Sequence, residues 1–392
     1  MKVVVTGASG NVGTSLLRIA PDGWELVGVA RHCPAAGVEP YSAASWIECD
    51  IGGGDAVGRL TEAFAGADAV VHLAWAVQPM HGDPDRRRTN LAGGANVLAA
   101  VAAAGVEHLV VVSSVAAYAP APRWERVGED WPRTGLPGSA YSAEKAQFER
   151  LLSDLPGGQR VAIVRPCAML QGAMAGRVAR WMLSPWLPRR VLGRWWLPVP
   201  MWRGLRMQIV HADDVAEAVR LILSAGAAGA FNLAAEPVLP ARRLAALLGG
   251  FRLPVARPVL VAFAWSTWRA GLQPMHPGWL RLADQAPLVD TTRARTTLGW
   301  SPRHAADDTI AEVIAAIRQG RGAASRPLLP ETRTSRWALR LRLGRPSSQS
   351  QAAPDERPDE RPDERPDGGP DGGPDGGPDG GRPDDRAGDR GR

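Results

Sequence analysis

The sequence predicts an α/β protein: a Rossmann-type doubly wound parallel sheet, a smaller C-terminal substrate lobe and a disordered tail. Three observations predict it. Short β-branched runs alternate with helix-like segments as far as residue 172. Those runs are apolar nearly throughout, as strands covered on both faces must be. Residues 351–392 are built on a four-residue repeat with no large apolar side chain to bury.

In order, KVVVTG is a β-branched run stopped by glycine, and NVGTSLLRIA reads as a helix. ELVGVA and ASWIECDI are strands. GRLTEAFAG is helical, ADAVVHLA is a strand, residues 90–104 are a helix and HLVVVSS is a strand. After a Pro- and Trp-rich loop come a helix over about 140–152 and the strand RVAIVRP. Residues 1–172 are therefore expected to form the Rossmann domain. In QIVHADDVAEAVRLIL, AFNLA and LAALLG the β/α pattern resumes, and residues 207–235 are expected to return to the main sheet. Residues 173–320 mainly supply the lobe. The five tryptophans of 174–206 either line an apolar pocket or simply pack that lobe. The apolar run at 258–268, flanked by Arg257 and Arg269, is too short to span a membrane and is expected to be a buried helix.

Residues 321–350 form a basic linker. Its TSRWALRLRLGR segment reads as a short surface helix or an extended arm, with a membrane-surface helix as the sharper reading. From Pro354 the tail repeats PDER three times and PDGG four times. It carries a net charge of −6, leaving +12 on the first 350 of the 392 residues. Of the 46 basic residues only Lys2 and Lys145 are lysine, a lopsidedness expected of codon bias. No basic stripe is interleaved with stacking aromatics, which argues against nucleic acid. Cys33, Cys49 and Cys167 are widely spaced, which argues against a disulfide framework or a zinc site. No signal peptide and no transmembrane segment is apparent, so a reducing, cytoplasmic setting is expected.

TGASGNVG links the first strand to the first helix and spaces Gly7, Gly10 and Gly13 as G-x-x-G-x-x-G. Such a loop must turn tightly, let backbone approach a pyrophosphate and pack a helix on a strand. The helix N-terminus adds unpaired N–H groups and a positive dipole end. Ser9, Asn11 and Val12 complete the expected dinucleotide site. The second strand ends at Arg31 rather than at the carboxylate that an NAD-selective site places there. Arg31 would attract a 2′-phosphate, so NADP is preferred and NAD is possible; the alternative is an arginine pointing into solvent. Asp50 and Ile51 are placed to meet the adenine.

The chain has three tyrosines and two lysines, yet Tyr141 and Lys145 fall at i, i+4 in YSAEK. Chance gives such a pair in roughly 1–2% of shuffled chains, so the match is informative. On one helix face, an ammonium beside a phenol should lower its pKa from about 10 toward neutrality. The phenol then becomes a general acid/base for an alcohol or carbonyl oxygen. Ser113 and Ser114 end a parallel strand at the crevice where ligands bind; adjacent strand residues point opposite ways, so only one can reach it.

With these motifs the chain resembles the extended short-chain dehydrogenase/reductase family, the NAD-dependent epimerase/dehydratase group. TGASGNVG, CDI, VVHLA, NLAGGANVL, VVVSSVAAY, YSAEK, VRP, IVHADDVAEAV, FNLA and LGWSP occur in family order over about residues 1–320. The resemblance implies a catalytic triad of Ser114, Tyr141 and Lys145. It implies that Leu73, Ala74 and Trp75 line the coenzyme, that Lys145 bonds the nicotinamide ribose, that Pro166 and Cys167 approach the nicotinamide and that Asn90 supports the site. VRPCAMLQG lacks the Asn common in nucleotide-sugar enzymes, and Val115-Ala116 stands where sugar dehydratases carry Asp-Glu. An oxidoreductase acting on a carbonyl or alcohol of an apolar small molecule is therefore expected. A nucleotide-sugar epimerase or a silent NADPH sensor is the alternative. The sequence permits a homodimer.

His211, Asp213 and Asp214 are expected to serve a helix cap, Asp213 or Asp214 being the cap, rather than a metal. His72 is expected in the core or beside the coenzyme. His81, Asp83 and Asp85 are expected to be solvated. No G-x-S-x-G elbow supports a serine hydrolase.

Overall fold

A computed structural model describes residues 1–77, 86–155, 158–182, 191–273 and 275–330. The loop holding His81, Asp83 and Asp85, most of the basic linker and the repeat tail lie outside the described residues.

The chain begins β1 (Lys2–Thr6), α1 (Asn11–Ile19), β2 (Glu25–Ala30), β3 (Ser45–Glu48), α2 (Ala56–Phe64), β4 (Ala69–His72), α3 (Gly93–Ala103), β5 (His108–Val112). It continues with β6 (Arg126–Val127), α4 (Ala140–Leu151), β7 (Arg160–Pro166), β8 (Ala168–Leu170), α5 (Ala175–Met182), β9 (Pro198–Met201), β10 (Arg206–His211), α6 (Ala212–Ala225) and β11 (Gly229–Leu233). The central sheet has seven strands in the order β11-β7-β5-β4-β1-β2-β3, every pair parallel. Strand order reverses between β1 and β4, which opens a crevice at their carboxyl ends.

The inner strands β1, β2, β4, β5 and β7 feed two cores. Val3 and Val5 face Leu16, Ile222 and Trp300, whereas Val4 faces Leu60, Phe64, Val97 and Phe148 on the other side. This two-sided burial is why the strands read as continuous apolar runs. Each fully buried Leu or Phe contributes roughly 1.5–3 kcal/mol.

The lobe adds β12 (Ala235–Pro240), α7 (Ala241–Leu247), β13 (Phe251–Pro254), α8 (Arg257–Arg269), α9 (Gly278–Gln285), β14 (Leu288–Val289), α10 (Thr292–Leu298) and α11 (Ala306–Gln319). Two expectations are corrected here. Residues 207–211 do not return to the main sheet: β10 lies between β8 and β12 in a three-stranded sheet, while α6 and β11 do return. The 258–268 run is helical but not buried. In α8 only Ala264 is buried, and Val259, Phe263 and Trp265 are 59%, 66% and 49% exposed. That helix stands at the margin of the lobe and presents one narrow stripe inward, around Leu260 and Ala264. No described helix is long and apolar enough to cross a membrane.

Candidate active site

The glycine loop is shaped by contact. Gly7 has φ +74°, and a Cβ there would lie 2.7 Å from the Ala74 Cα. A Cβ on Gly13 would lie 2.3 Å from the Ala8 carbonyl oxygen, so its absence lets α1 pack on the loop. Gly10 caps α1 without a side-chain hydrogen bond, and no acidic residue occupies the first turn. The helix thus keeps N–H groups for an anion. This cradle, which side chains would fill, fits a dinucleotide pyrophosphate. Ser9 and Val12 are buried beside it. Asn11 accepts from Gln171 Nε2 through its backbone and side-chain oxygens, both at 2.8 Å.

Around the crevice, Leu73 N–H donates to the Thr6 carbonyl at 2.9 Å. Ala76 N–H donates to Asn90 Oδ1 at 2.7 Å, and Asn90 Nδ2 donates to Glu144 at 2.7 Å. Asn90 therefore braces the turn after β4 against α4, from a wide π-turn over Arg88–Ala92 that opens its helix. Arg31 is exposed at the end of β2. Burial, Arg180 and Arg31 together push the Arg177 guanidinium down to about 10. The Asp50 carboxylate accepts from Gly52 N–H and Arg88, while Ile51 is buried. Pro166 ends β7, and the buried Cys167 donates its N–H to the Leu233 carbonyl.

Ser139 caps α4, accepting from Ser142 N–H, and so fixes the helix that carries Tyr141 and Lys145. The Ser114 hydroxyl is near enough to the Tyr141 phenol to lower its pKa. Ser114 Oγ also accepts from Ala116 N–H at 3.1 Å. Its neighbour Ser113 points the other way and donates to Glu149. Lys145 Nζ donates to the Val112 carbonyl at 3.0 Å and lies 3.6 Å from the centre of the Trp75 ring. The structure thus brings Ser114, Tyr141, Lys145, Trp75 and Asn90 together.

The expected electrostatics of the pair are corrected. Burial pushes the Tyr141 phenol up, the neighbouring Ser114 hydroxyl pulls it down and Glu144 raises it. Burial drops Lys145 to about 7, against upward pulls from Glu149 and Glu144. The amine is engaged by a carbonyl and an indole face, and burial removes much of its charge, so it does not make the phenol acidic. His72 is a core residue: its Nδ1 pairs with Thr6 Oγ1 at 2.7 Å, and burial, with Lys145, lowers it to about 3.

Sequence reasoning missed two features. Arg165 and Glu149 form a buried ion pair, with Arg165 Nη2 2.8 Å from Oε2, and Arg165 also donates to Tyr118 Oη at 2.8 Å. An arginine inside the apolar strand RVAIVRP was the available signal. Trp279, on α9, lies over Tyr141, with ring centres 5.3 Å apart; no local pattern links residues so far apart. Among the described residues, no tryptophan of 174–206 is seen against the Tyr141 ring. Trp202 is buried on Asp284, whereas Trp195 and Trp196 are 82% and 49% exposed and Trp186 lies outside the described residues.

His211, rather than Asp213 or Asp214, caps α6, accepting from Asp213 N–H at 3.1 Å. His211, Asp213 and His304 are close enough to share an ion. However, the two rings stack at 4.0 Å with planes 24° apart, so their lone pairs run nearly parallel. Both His211 nitrogens are also committed, the second to Glu312 at 2.9 Å. Asp214 is buried and accepts from the Arg303 and His304 N–H groups, pinning the segment after α10.

Residues 3–234 match the NAD dependent epimerase/dehydratase family. An uncharacterized protein of Mycobacterium tuberculosis is 31% identical over 322 residues, which cover 81% of this chain but 30% of that protein's length. The chain thus spans less than a third of that relative. A 4-hydroxy-2-methyl-3-oxo-4-farnesyl-3,4-dihydroquinoline-1-oxide ketoreductase of Stigmatella aurantiaca is 32% identical over 168 residues, covering 42% of this chain and 49% of the ketoreductase. The solved UDP-glucose 4-epimerase of Thermus thermophilus, in complex with NAD, shares the fold with TM-score 0.58 and 23% identity, over 81% of this chain and 99% of the epimerase chain.

Proposed function

The chain belongs to the NAD-dependent epimerase/dehydratase family, and from that premise we propose that it is an NAD(P)-dependent oxidoreductase acting on a carbonyl or alcohol of an apolar small molecule, with NADP preferred. One observation carries the reading: the Tyr141 ring is faced by Trp279, and the Ser114 hydroxyl is near enough to lower the Tyr141 phenol's pKa. The substrate side of the acid/base is thus aromatic. The name of the Stigmatella ketoreductase, with its 3-oxo group and farnesyl chain, supports the same choice.

Gly7, Ser9, Gly10, Asn11, Val12 and Gly13 would hold the pyrophosphate, and Arg31 the 2′-phosphate. Asp50 and Ile51 would meet the adenine. Leu73, Ala74 and Trp75 would line the coenzyme, braced by Asn90, and Pro166 and Cys167 would approach the nicotinamide. The coenzyme, when bound, supplies or accepts hydride at the substrate carbon. Tyr141 does the proton work. Its raised pKa keeps the phenol protonated at neutral pH, the form needed to give a proton to an oxygen gaining negative charge. Ser114 holds that oxygen in place. Lys145 would bond the nicotinamide ribose. Trp279 keeps water from the phenol and offers apolar contact.

The test is Tyr141→Phe, followed by NADPH absorbance against a panel of apolar ketones. Turnover is expected to fall about a hundredfold or more while NADPH still binds. Unchanged turnover would remove Tyr141 from the proton transfer; NADPH binding without turnover in the unaltered protein, unaffected by Tyr141→Phe, would point to a sensor instead. NAD(H) retained through purification, with turnover of nucleotide sugars only, would make the protein an epimerase.

A further inference from the structure

The lobe that carries Trp279 has an unusual charge pattern. Residues 173–212 and 237–283 contain no Asp or Glu and thirteen Arg. The same region holds eight of the twelve large apolar side chains that are exposed among the described residues. Trp195 is 82% exposed, Phe263 66%, Val259 59%, Leu272 52%, Phe251 50% and Trp265 49%. They are neighbours in the fold: β13 pairs with β9, setting Phe251 opposite Pro198 just beyond Trp195, and α8 follows β13 and packs against β9.

A helix that is apolar all round is stable in a protein core or against lipid. α8 is not in the core. Its thirteen residues reach about 20 Å, too short to cross a bilayer. Arg257 and Arg269 stand at its ends, the Arg269 guanidinium 5.6 Å from the Trp265 ring. Tryptophan and arginine around an exposed apolar surface suit the layer where acyl chains meet phosphates.

We infer that this face docks on the surface of an anionic lipid bilayer, with α8 lying flat in the headgroup layer. Charge decides among the candidate occupants. A second copy placed symmetrically on this face would set one arginine-rich surface against another. The acidic repeat tail could neutralise the arginines, but it has no large apolar groups to cover Phe263 or Trp195. Anionic lipid supplies both the negative charge and the apolar layer. The inference rests on exposure and charge and does not depend on the chemistry proposed for Tyr141.

The test is sedimentation of the full chain with vesicles of phosphatidylcholine, with and without about one-third phosphatidylglycerol. Binding is expected only with phosphatidylglycerol, weakening as salt rises. Phe263→Asp and Trp195→Asp alter well-exposed positions, so each should keep the thermal unfolding midpoint and lower the partition coefficient about tenfold or more, as withdrawal of one aromatic ring from lipid would. No binding to either vesicle, or binding unchanged in both variants, overturns the inference. So does a concentration-dependent dimer, seen by light scattering, that the same substitutions dissolve.

Discussion

Glu149→Gln removes a single charge from a fully enclosed ion pair on the described sheet. Glu149 and Arg165 are 1% and 2% exposed. The carboxylate accepts from Arg165 Nε at 3.0 and 3.2 Å and from Nη2 at 2.8 Å. It also accepts from Ser113, and Arg133 lies 3.6 Å away. Glutamine keeps the size but turns an amide toward guanidinium donors and leaves Arg165 charged and uncompensated. Breaking a buried pair from one side costs about 3–5 kcal/mol, a large share of the roughly 5–15 kcal/mol that holds a domain folded. Urea unfolding should show the loss as a lower midpoint at unchanged slope. The double substitution Glu149→Met/Arg165→Met removes both charges and should be milder than Glu149→Gln alone. Glu149 also helps keep Lys145 protonated against burial, so the titration of Lys145 should move further down in Glu149→Gln. A loss below about 1 kcal/mol, or a double variant as unstable as the sum of its parts, would refute the account.

Lys145 is held at about 7, below its ordinary 10.5. Between about pH 7 and pH 10 the unfolded chain binds more protons, so stability should rise with pH across that window; thermal scans of Lys145→Met should lack the rise. Ser114→Ala should lower turnover by about tenfold or more and leave stability within about 1 kcal/mol, whereas Ser113→Ala should do the reverse, because the two hydroxyls serve opposite faces of the strand end. Arg31→Glu should raise the NADPH dissociation constant by about tenfold or more, as loss of a charged hydrogen bond does, with little change for NADH; equal effects on both coenzymes, measured by fluorescence titration, would remove Arg31 from the 2′-phosphate site.

The sheet was legible because β1, β2, β4, β5 and β7 are covered on both sides, and two-sided burial leaves one mark, the unbroken apolar run. The glycine loop and the Tyr141–Lys145 spacing were legible because both are local. What spacing cannot report is where a charged end goes. An i, i+4 pair shares a helix face, but Lys145 turns to the Val112 carbonyl and the Trp75 ring. The same limit explains α8. Apolar composition says which contacts a helix would favour, whereas burial depends on how much surface the neighbouring elements offer, and β9 with β13 forms only a two-stranded pair. β10 was assigned to the wrong sheet because strand pairing is settled between distant segments.

The wall over Tyr141 follows from two glycines and one carboxylate outside the motifs. A Cβ on Gly278 would lie 3.2 Å from the Gly138 carbonyl oxygen, and one on Gly138 would lie 2.6 Å from Arg281 Nη1. Without those side chains the start of α9 settles against the loop that leads into Ser139 and α4, and Trp279 lands on the Tyr141 ring. Asp284, on the last turn of the same helix and 4% exposed, secures its other end. It accepts from Arg123 at 2.7 Å, from Trp202 Nε1 at 2.8 Å and from Arg257. Although burial pushes this carboxyl up, the Arg123 hydrogen bond and the charges of Arg123 and Arg257 hold it below the usual range. Arg257 is the first residue of α8. One buried carboxylate thus joins the exposed apolar helix to the helix that roofs the phenol, so α8 and the substrate side of the site are parts of one braced unit.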